Sequence, residues 1–323
     1  MSTGAAPAAR VRARRRSVWR RRRTIAALMA PWALGFCVFF AYPLLASFYY
    51  SFTHYDLLSS PRWIGVRNYE YLFNSDPEIW TAVKNTLWLI AIMVPAQVLF
   101  ALGVALLLSR RRRGAGALRT VFYLPALAPI VAATLGFVYL FNPANGPVNT
   151  ILSSLGIEGP LWLNGTSTAK PTLVLLALWG IGNTLIIFLA AVLDVPSHLL
   201  ESAELDGAGA WRRFVHVTLP TISPVLLFAV VIGVIDALQY FTQAYVAAGV
   251  AQGGQAGESA KALGYPEGAT LFYPIYLYEQ AFSRFNMGYA SAMSILMLLV
   301  ALALTVVILR NSRRWVHYQA ETR

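Results

Sequence analysis

The chain has 323 residues, 57% of them hydrophobic and only 12% charged, with a mean hydropathy of +0.56. A soluble globular protein carries about 25% charged residues, so this composition excludes one and indicates an integral membrane protein. The net charge of +12 does not signal nucleic-acid binding, because the arginines sit mostly at the chain ends and in one short loop, with no nucleic-acid motif beside them.

Six charge-free runs are each long enough to span a bilayer, which takes about 20 apolar residues for about 30 Å of hydrocarbon. They lie between Arg23 and His54, Lys84 and Arg110, Arg119 and Phe141, Lys170 and Asp194, Phe214 and Asp236, and Arg284 and Arg310. The first follows an arginine-rich stretch, as a secretory signal does. Its apolar run is too long for a signal and holds Pro31 and Pro43, so it reads as a retained anchor. The single cysteine, Cys37, lies within this run, which leaves no intrachain disulfide. The fifth run continues past Asp236 to about Tyr245, setting that carboxylate inside the membrane. The expectation is an all-α integral membrane protein with six transmembrane helices. Segments 54–79, 142–170 and 248–284 read as outer loops with room for short helices, GPVNTILSSLG among them.

Basic residues set the orientation. Twenty of the 26 lysines and arginines fall before the first run, after the second, between the fourth and fifth, and after the sixth. Both termini therefore face the cytoplasm. The chain divides into a basic cytoplasmic tail (1–23), a six-helix membrane domain (24–310) and a cytoplasmic C-terminal tail (311–323). The arginine clusters read as topological anchors attracted to anionic lipid headgroups, with no nucleic-acid partner.

The cytoplasmic segment between the fourth and fifth runs, ESAELDGAGAWRRFVHVTLPTISP (201–224), is the most informative in the chain. Asp194, Pro196 and Ser197 offer helix-start chemistry. A short helix through HLLESAEL leads to a bend at Asp206-Gly207, where glycine tolerates conformations other residues do not. A second, AGAWRRF, places Trp211, Phe214 and Val215 on one face and ends at Leu219-Pro220, with Pro224 suited to the first turn of the next span. Ala203, Gly207 and Ala208 leave space for a close partner.

This pattern resembles the EAA loop of ABC importer permeases at Glu201, Ala203, Asp206, Gly207, Ala208, Phe214, Val217, Leu219, Pro220 and Pro224, with Ser202 in place of the middle alanine. WIGVRNYEYLF with NTLWLI, LRTVFYLPALAP, YLFNPANGPVN, FTQAYV and LYEQAFSRFNMGYASAMSIL are similar to carbohydrate permeases of the maltose and glycerol-phosphate type. The chain departs from them after FTQAYV, where an insertion (247–269) replaces a short T-G-G-P turn. The resemblance implies a type I ABC importer permease fold in a bacterial cytoplasmic membrane. It implies that 196–220 couples to a partner ATPase, with Glu201 facing a basic residue of that partner. It implies a second related permease, a pair of ATP-binding subunits, an external substrate-binding protein and a sugar substrate.

The chain carries no GxxxxGK[ST], HExxH, CxxC or GxSxG motif. It is not expected to be an enzyme or to bind a cofactor or metal, and ATP with Mg belongs to the partner. His54, His198, His216 and His317 are scattered, as interfacial or structural residues are. Glycerol-phosphate import stays open, as does a secondary transporter, although such proteins favour internal repeats and several midplane ionisable groups and here Asp236 stands alone. Two polar stripes mark an expected substrate path. Leu176, Trp179, Gly180 and Asn183 repeat at i, i+3, i+4, i+7 on the fourth helix, and Asp236, Gln239, Tyr240 and Gln243 do so on the fifth. Both reach mid-bilayer depth, where an unpaired ionisable group is costly and usually functional. Maltose-type permeases contact sugar from the same region, so the resemblance supports it; packing helix to helix is the competing role.

Overall fold

The computed structural model describes residues 7–109, 114–253, 264–312 and 316, with backbone alone at 7–18 and 20–22. The arginine loop Arg110–Arg113, the middle of the outer insertion (254–263) and most of the C-terminal segment, including His317, lie outside the described residues.

The chain is mostly helical. Helix α1 (Pro7–Phe36) runs from the basic segment into the first apolar run and joins α2 (Tyr42–Tyr50) through a wide π-turn at Cys37–Ala41. There the Tyr42 N–H donates to the Cys37 carbonyl five residues back, just before Pro43. A proline has no N–H and its ring crowds the carbonyl four residues earlier; the widened turn carries the helix into it unbroken. A short antiparallel hairpin follows, β1 (Thr53–His54) with β2 (Arg62–Trp63), in the register Thr53 to Trp63 and His54 to Arg62. The expectation of a purely α chain is corrected to that extent.

Helix α3 (Arg67–Asn74) leads to α4 (Ile79–Ser109), the centre of the bundle. Leu89, Met93, Val98, Ala101 and Ala105 on α4 are buried. Helix α5 (Ala115–Tyr123) and a 3-10 turn at Leu124–Leu127 meet α6 (Ile130–Leu140) at a bend of 101°. Helix α7 (Pro147–Ser154) is the outer helix expected in GPVNTILSSLG. Helix α8 (Ala169–Trp179) and α9 (Gly182–Leu193) are bent by 53°. A Cβ at Gly182 would lie 2.9 Å from the Ala126 Cβ and 3.0 Å from the Tyr123 Cα, so glycine there lets the start of α9 press against the α5 side.

Next come α10 (Ser197–Leu205), α11 (Ala210–Arg213), a π-turn at Phe214–Thr218, α12 (Leu219–Thr221), α13 (Ser223–Leu238) and α14 (Thr242–Ala251). The expected stop at Leu219-Pro220 is corrected. The Leu219 N–H reaches back five residues to the Phe214 carbonyl, the same device as before Pro43, and the helix ends at Thr221. Pro224 does occupy the first turn of α13. The expected fifth helix through Asp236 to Tyr245 is also corrected: α13 stops at Leu238 and helix resumes at Thr242. Residues 248–251, expected as loop, continue α14. Helix α15 (Tyr273–Tyr278) and a π-turn at Glu279–Ser283 precede α16 (Met287–Ser312).

By length and composition, Arg23–Tyr50, Ile79–Ser109 and Met287–Ser312 suffice to cross a membrane. Among the described residues, three bent pairs, α5–α6, α8–α9 and α11–α13, raise the candidates to as many as six if each pair counts as one span.

Just before α4, Asp76, only 5% exposed, ties α4 to α15 and α16. Its carboxylate accepts the N–H groups of Glu78 and Ile79 at 2.9 and 3.1 Å, capping α4. It also accepts the hydroxyls of Tyr276 (2.8 Å) and Tyr289, while Gln280 donates to the Tyr276 oxygen at 2.8 Å. Burial, and then the bond to Asp76, push the Tyr276 hydroxyl above its ordinary pKa, which keeps it a donor.

Candidate functional site

Two places gather the residues singled out by the sequence. The first is the loop from α10 to α12. Helix α10 ends in a paired set of bonds: the Ala208 N–H donates to the Ala203 carbonyl at 2.9 Å and the Gly207 N–H to the Glu204 carbonyl at 3.0 Å. This is a Schellman cap, which needs a left-handed residue at its turn, and Gly207 has φ +78°. A Cβ there meets nothing within 4 Å, and glycine is required by its backbone angle alone.

Arg213 forms an ion pair with Glu204, fastening α11 to α10. Glu201, Asp206 and Gly207 are exposed, and Ala203 and Ala208 are half-buried. Phe214, Val217, Leu219, Pro220 and Pro224 are half-buried, Phe214 and Val217 being packed against the core. The Trp211 ring lies tilted against Phe214 with centroids 5.6 Å apart yet stays 74% exposed, so the expected shared face is only partly turned inward. The loop therefore offers an acidic, small-residue edge outward and an apolar edge to the bundle. A hollow of about 700 Å³ lies behind it, against the ends of α4 and α9.

The second place is a cavity of about 460 Å³ within the bundle. Leu176, Trp179, Gly180, Asn183, Asp236, Gln239, Tyr240 and Gln243 all line it. They are not stripes on two unbroken helices, as their spacing suggested. Gly180 sits between α8 and α9, and Gln239 and Tyr240 sit between α13 and α14. Breaks of this kind expose backbone N–H and C=O groups, which at membrane depth are tolerated where they line a cavity or are buried in protein. Ala128, at the bend between α5 and α6, lines the same cavity. All three breaks face one space.

The polar groups divide by what they bond. Gln97 on α4 donates to the Ala177 carbonyl at 3.2 Å, and the Tyr240 hydroxyl reaches the Leu173 carbonyl at 3.4 Å. Asn183, Asp236, Gln239 and Gln243 make no side-chain hydrogen bond or ion pair with the described residues. Trp179 is 45% exposed. Sequence reasoning missed Gln97, Thr134 and Thr242, which add polar groups to the lining. Gln97 and Thr134 come from α4 and α6, whose apolar runs carry no polar stripe; the LPALAP segment is the signal that α5 and α6 bend toward the cavity.

The family described as binding-protein-dependent transport system inner membrane component matches residues 97–317, more than half of the chain. Over 297 residues the chain is 36% identical to the probable ABC transporter permease protein YesP of Bacillus subtilis (strain 168), covering 91% of this chain and 92% of that one. It is 32% identical over 289 residues to the arabinooligosaccharides transport system permease protein AraP of the same organism, covering 88% and 86%. The fold matches that of a bacterial ABC transporter chain involved in importing the acidic polysaccharide alginate. The TM-score there is 0.78 at 24% identity, over 93% of this chain and 99% of the other.

Proposed function

The chain belongs to the binding-protein-dependent ABC transporter permeases, inner membrane components with carbohydrate permeases among its relatives, and we propose that it forms half of a sugar-conducting path. The observation that carries this reading is the set of unbonded side chains in the cavity. Asn183, Asp236, Gln239 and Gln243 offer acceptors and donors with no protein partner. Trp179 adds a ring against which the apolar face of a pyranose packs.

Each bent pair counts as one span, giving six, and the distribution of basic residues puts both termini in the cytoplasm. The loop from α10 to α12 then faces the cytoplasm and receives a partner ATPase, which holds ATP and Mg. A second related permease closes the path, and an external binding protein delivers the sugar. The complex sits in the bacterial cytoplasmic membrane.

The test is capture of the tagged chain from its own cells, identification of bound proteins by mass spectrometry, and reconstitution of the complex in vesicles. A second permease, an ATPase and a binding protein are expected, with uptake dependent on ATP. Uptake by this chain alone under an ion gradient would overturn the proposal in favour of a secondary transporter.

A further inference from the structure

Among the described residues lining the cavity, Asp236 is the one charged side chain; the other polar side-chain groups are amides, hydroxyls and the Trp179 indole, with no lysine, arginine or histidine. Asp236 has neither an ion-pair partner nor a hydrogen-bond donor among the described residues. Lys170, at the start of α8, is engaged elsewhere. Its Nζ donates to Asn85 Oδ1 at 3.0 Å and lies 5.2 Å from the centre of the Trp88 ring, and it is not part of the lining.

A carboxylate exposed on the cavity wall without a counter-ion repels a second negative charge. It accepts hydrogen bonds from neutral hydroxyls at no such cost. We infer that Asp236 is a charge filter, so that this half of the path admits uncharged glycosides and rejects sugar acids and sugar phosphates. The inference rests on the proposed sugar path and narrows its substrate class. It sets this chain apart from the alginate importer that shares its fold. It also disfavours glycerol-phosphate import.

Two measurements test it. In the assembled complex, with Cys37→Ser as background, Asn183→Cys and Gln243→Cys are each labelled with methanethiosulfonates bearing a trimethylammonium, a sulfonate or a hydroxyl. Relative to the neutral reagent, the cationic one should outpace the anionic one. Asp236→Asn, nearly isosteric, should lower that preference by about tenfold or more, the scale of one nearby unit charge. A preference unchanged by Asp236→Asn overturns the proposal. The second measurement is mass spectrometry of the ligand released from the co-purified binding protein. An uncharged glycoside is expected, and a sugar acid or sugar phosphate overturns the charge filter while leaving sugar transport intact. A non-saccharide ligand overturns instead the sugar path on which the filter rests.

Discussion

Asp76, Tyr276, Gln280 and Tyr289 at the start of α4 and Asp236, Gln239, Tyr240 and Gln243 in the cavity are nearly the same side chains in opposite conditions. The Asp76 carboxylate is saturated by two backbone N–H groups and two tyrosine hydroxyls. In the cavity Asp236, Gln239 and Gln243 bond nothing in the described chain, and Tyr240 alone turns its hydroxyl into the bundle. Residue type does not separate the two, since each group has an acid, amides and tyrosine. Saturation does. Buried polar groups are normally paired, and a fully paired cluster holds a fold in one arrangement. Asp236 and Gln239 are exposed on the cavity wall and Gln243 is half-buried, so their unpaired groups are open to a ligand. Substitutions in the first set should therefore strike stability, and in the second, transport.

The largest stability effect is expected at Asp76. Asp76→Ala removes the acceptor of two tyrosine hydroxyls and uncaps α4, and stranding buried donors costs about 1–3 kcal/mol each. A loss of about 4 kcal/mol and a fall of roughly 8 °C in thermal midpoint in detergent should follow. Uptake should drop only in proportion to folded protein. An unchanged midpoint would show that saturation is no guide to structural weight.

Gly207→Val comes next. At φ +78° a non-glycine residue costs about 1–2 kcal/mol, confined to the end of α10. Membrane insertion should persist while uptake and substrate-stimulated ATPase activity are lost and the ATPase subunit is held more loosely. Glu201→Lys, on an exposed surface, should reproduce the transport defect without the stability cost. Normal stimulated ATPase activity in both variants would remove the coupling role from this loop. Smaller still is Tyr240→Phe: its hydrogen bond is long at 3.4 Å, so a loss below about 1 kcal/mol is expected. Uptake should stay near normal, because the hydroxyl is turned to the Leu173 carbonyl. A large uptake defect would mean that this hydroxyl leaves Leu173 for the ligand.

The local form of the loop from α10 to α12 was legible in the sequence because its determinants are contiguous. Proline, a small-residue bend and an aromatic anchor lie within about one helical hairpin, and the Schellman cap is a local bargain between Ala203, Gly207 and Ala208. The cavity residues were also found, though through a helical spacing that the fold does not keep. Gly180 and Gln239 proved to be break positions, and no local signal near Gln239 announces one. Its cause is tertiary, since the break survives only because a cavity lies beside it. The Asp76 cluster was not foreseen. Its partners stand 200 and 213 residues away in the chain, and no periodicity links a loop aspartate to tyrosines on α15 and α16.

The smallest stability effect is expected where the transport effect should be clear. Asp236→Ala and Asn183→Ala each delete a side chain with no hydrogen-bond partner among the described residues. Substitutions that break no partner usually stay within about 0.5 kcal/mol, so both thermal midpoints should match the unaltered chain. If the two groups instead bonded helix to helix, each deletion would strand a partner at membrane depth and lower the midpoint as Asp76→Ala does. On the transport side, losing a hydrogen bond to substrate from a charged group costs about 1.5–3 kcal/mol and from a neutral amide about 1 kcal/mol. Uptake in reconstituted complexes should then fall by about tenfold or more for Asp236→Ala and about fivefold for Asn183→Ala. Unchanged uptake together with a lowered midpoint would place Asp236 and Asn183 in the same class as Asp76, and the distinction between the two clusters would be lost.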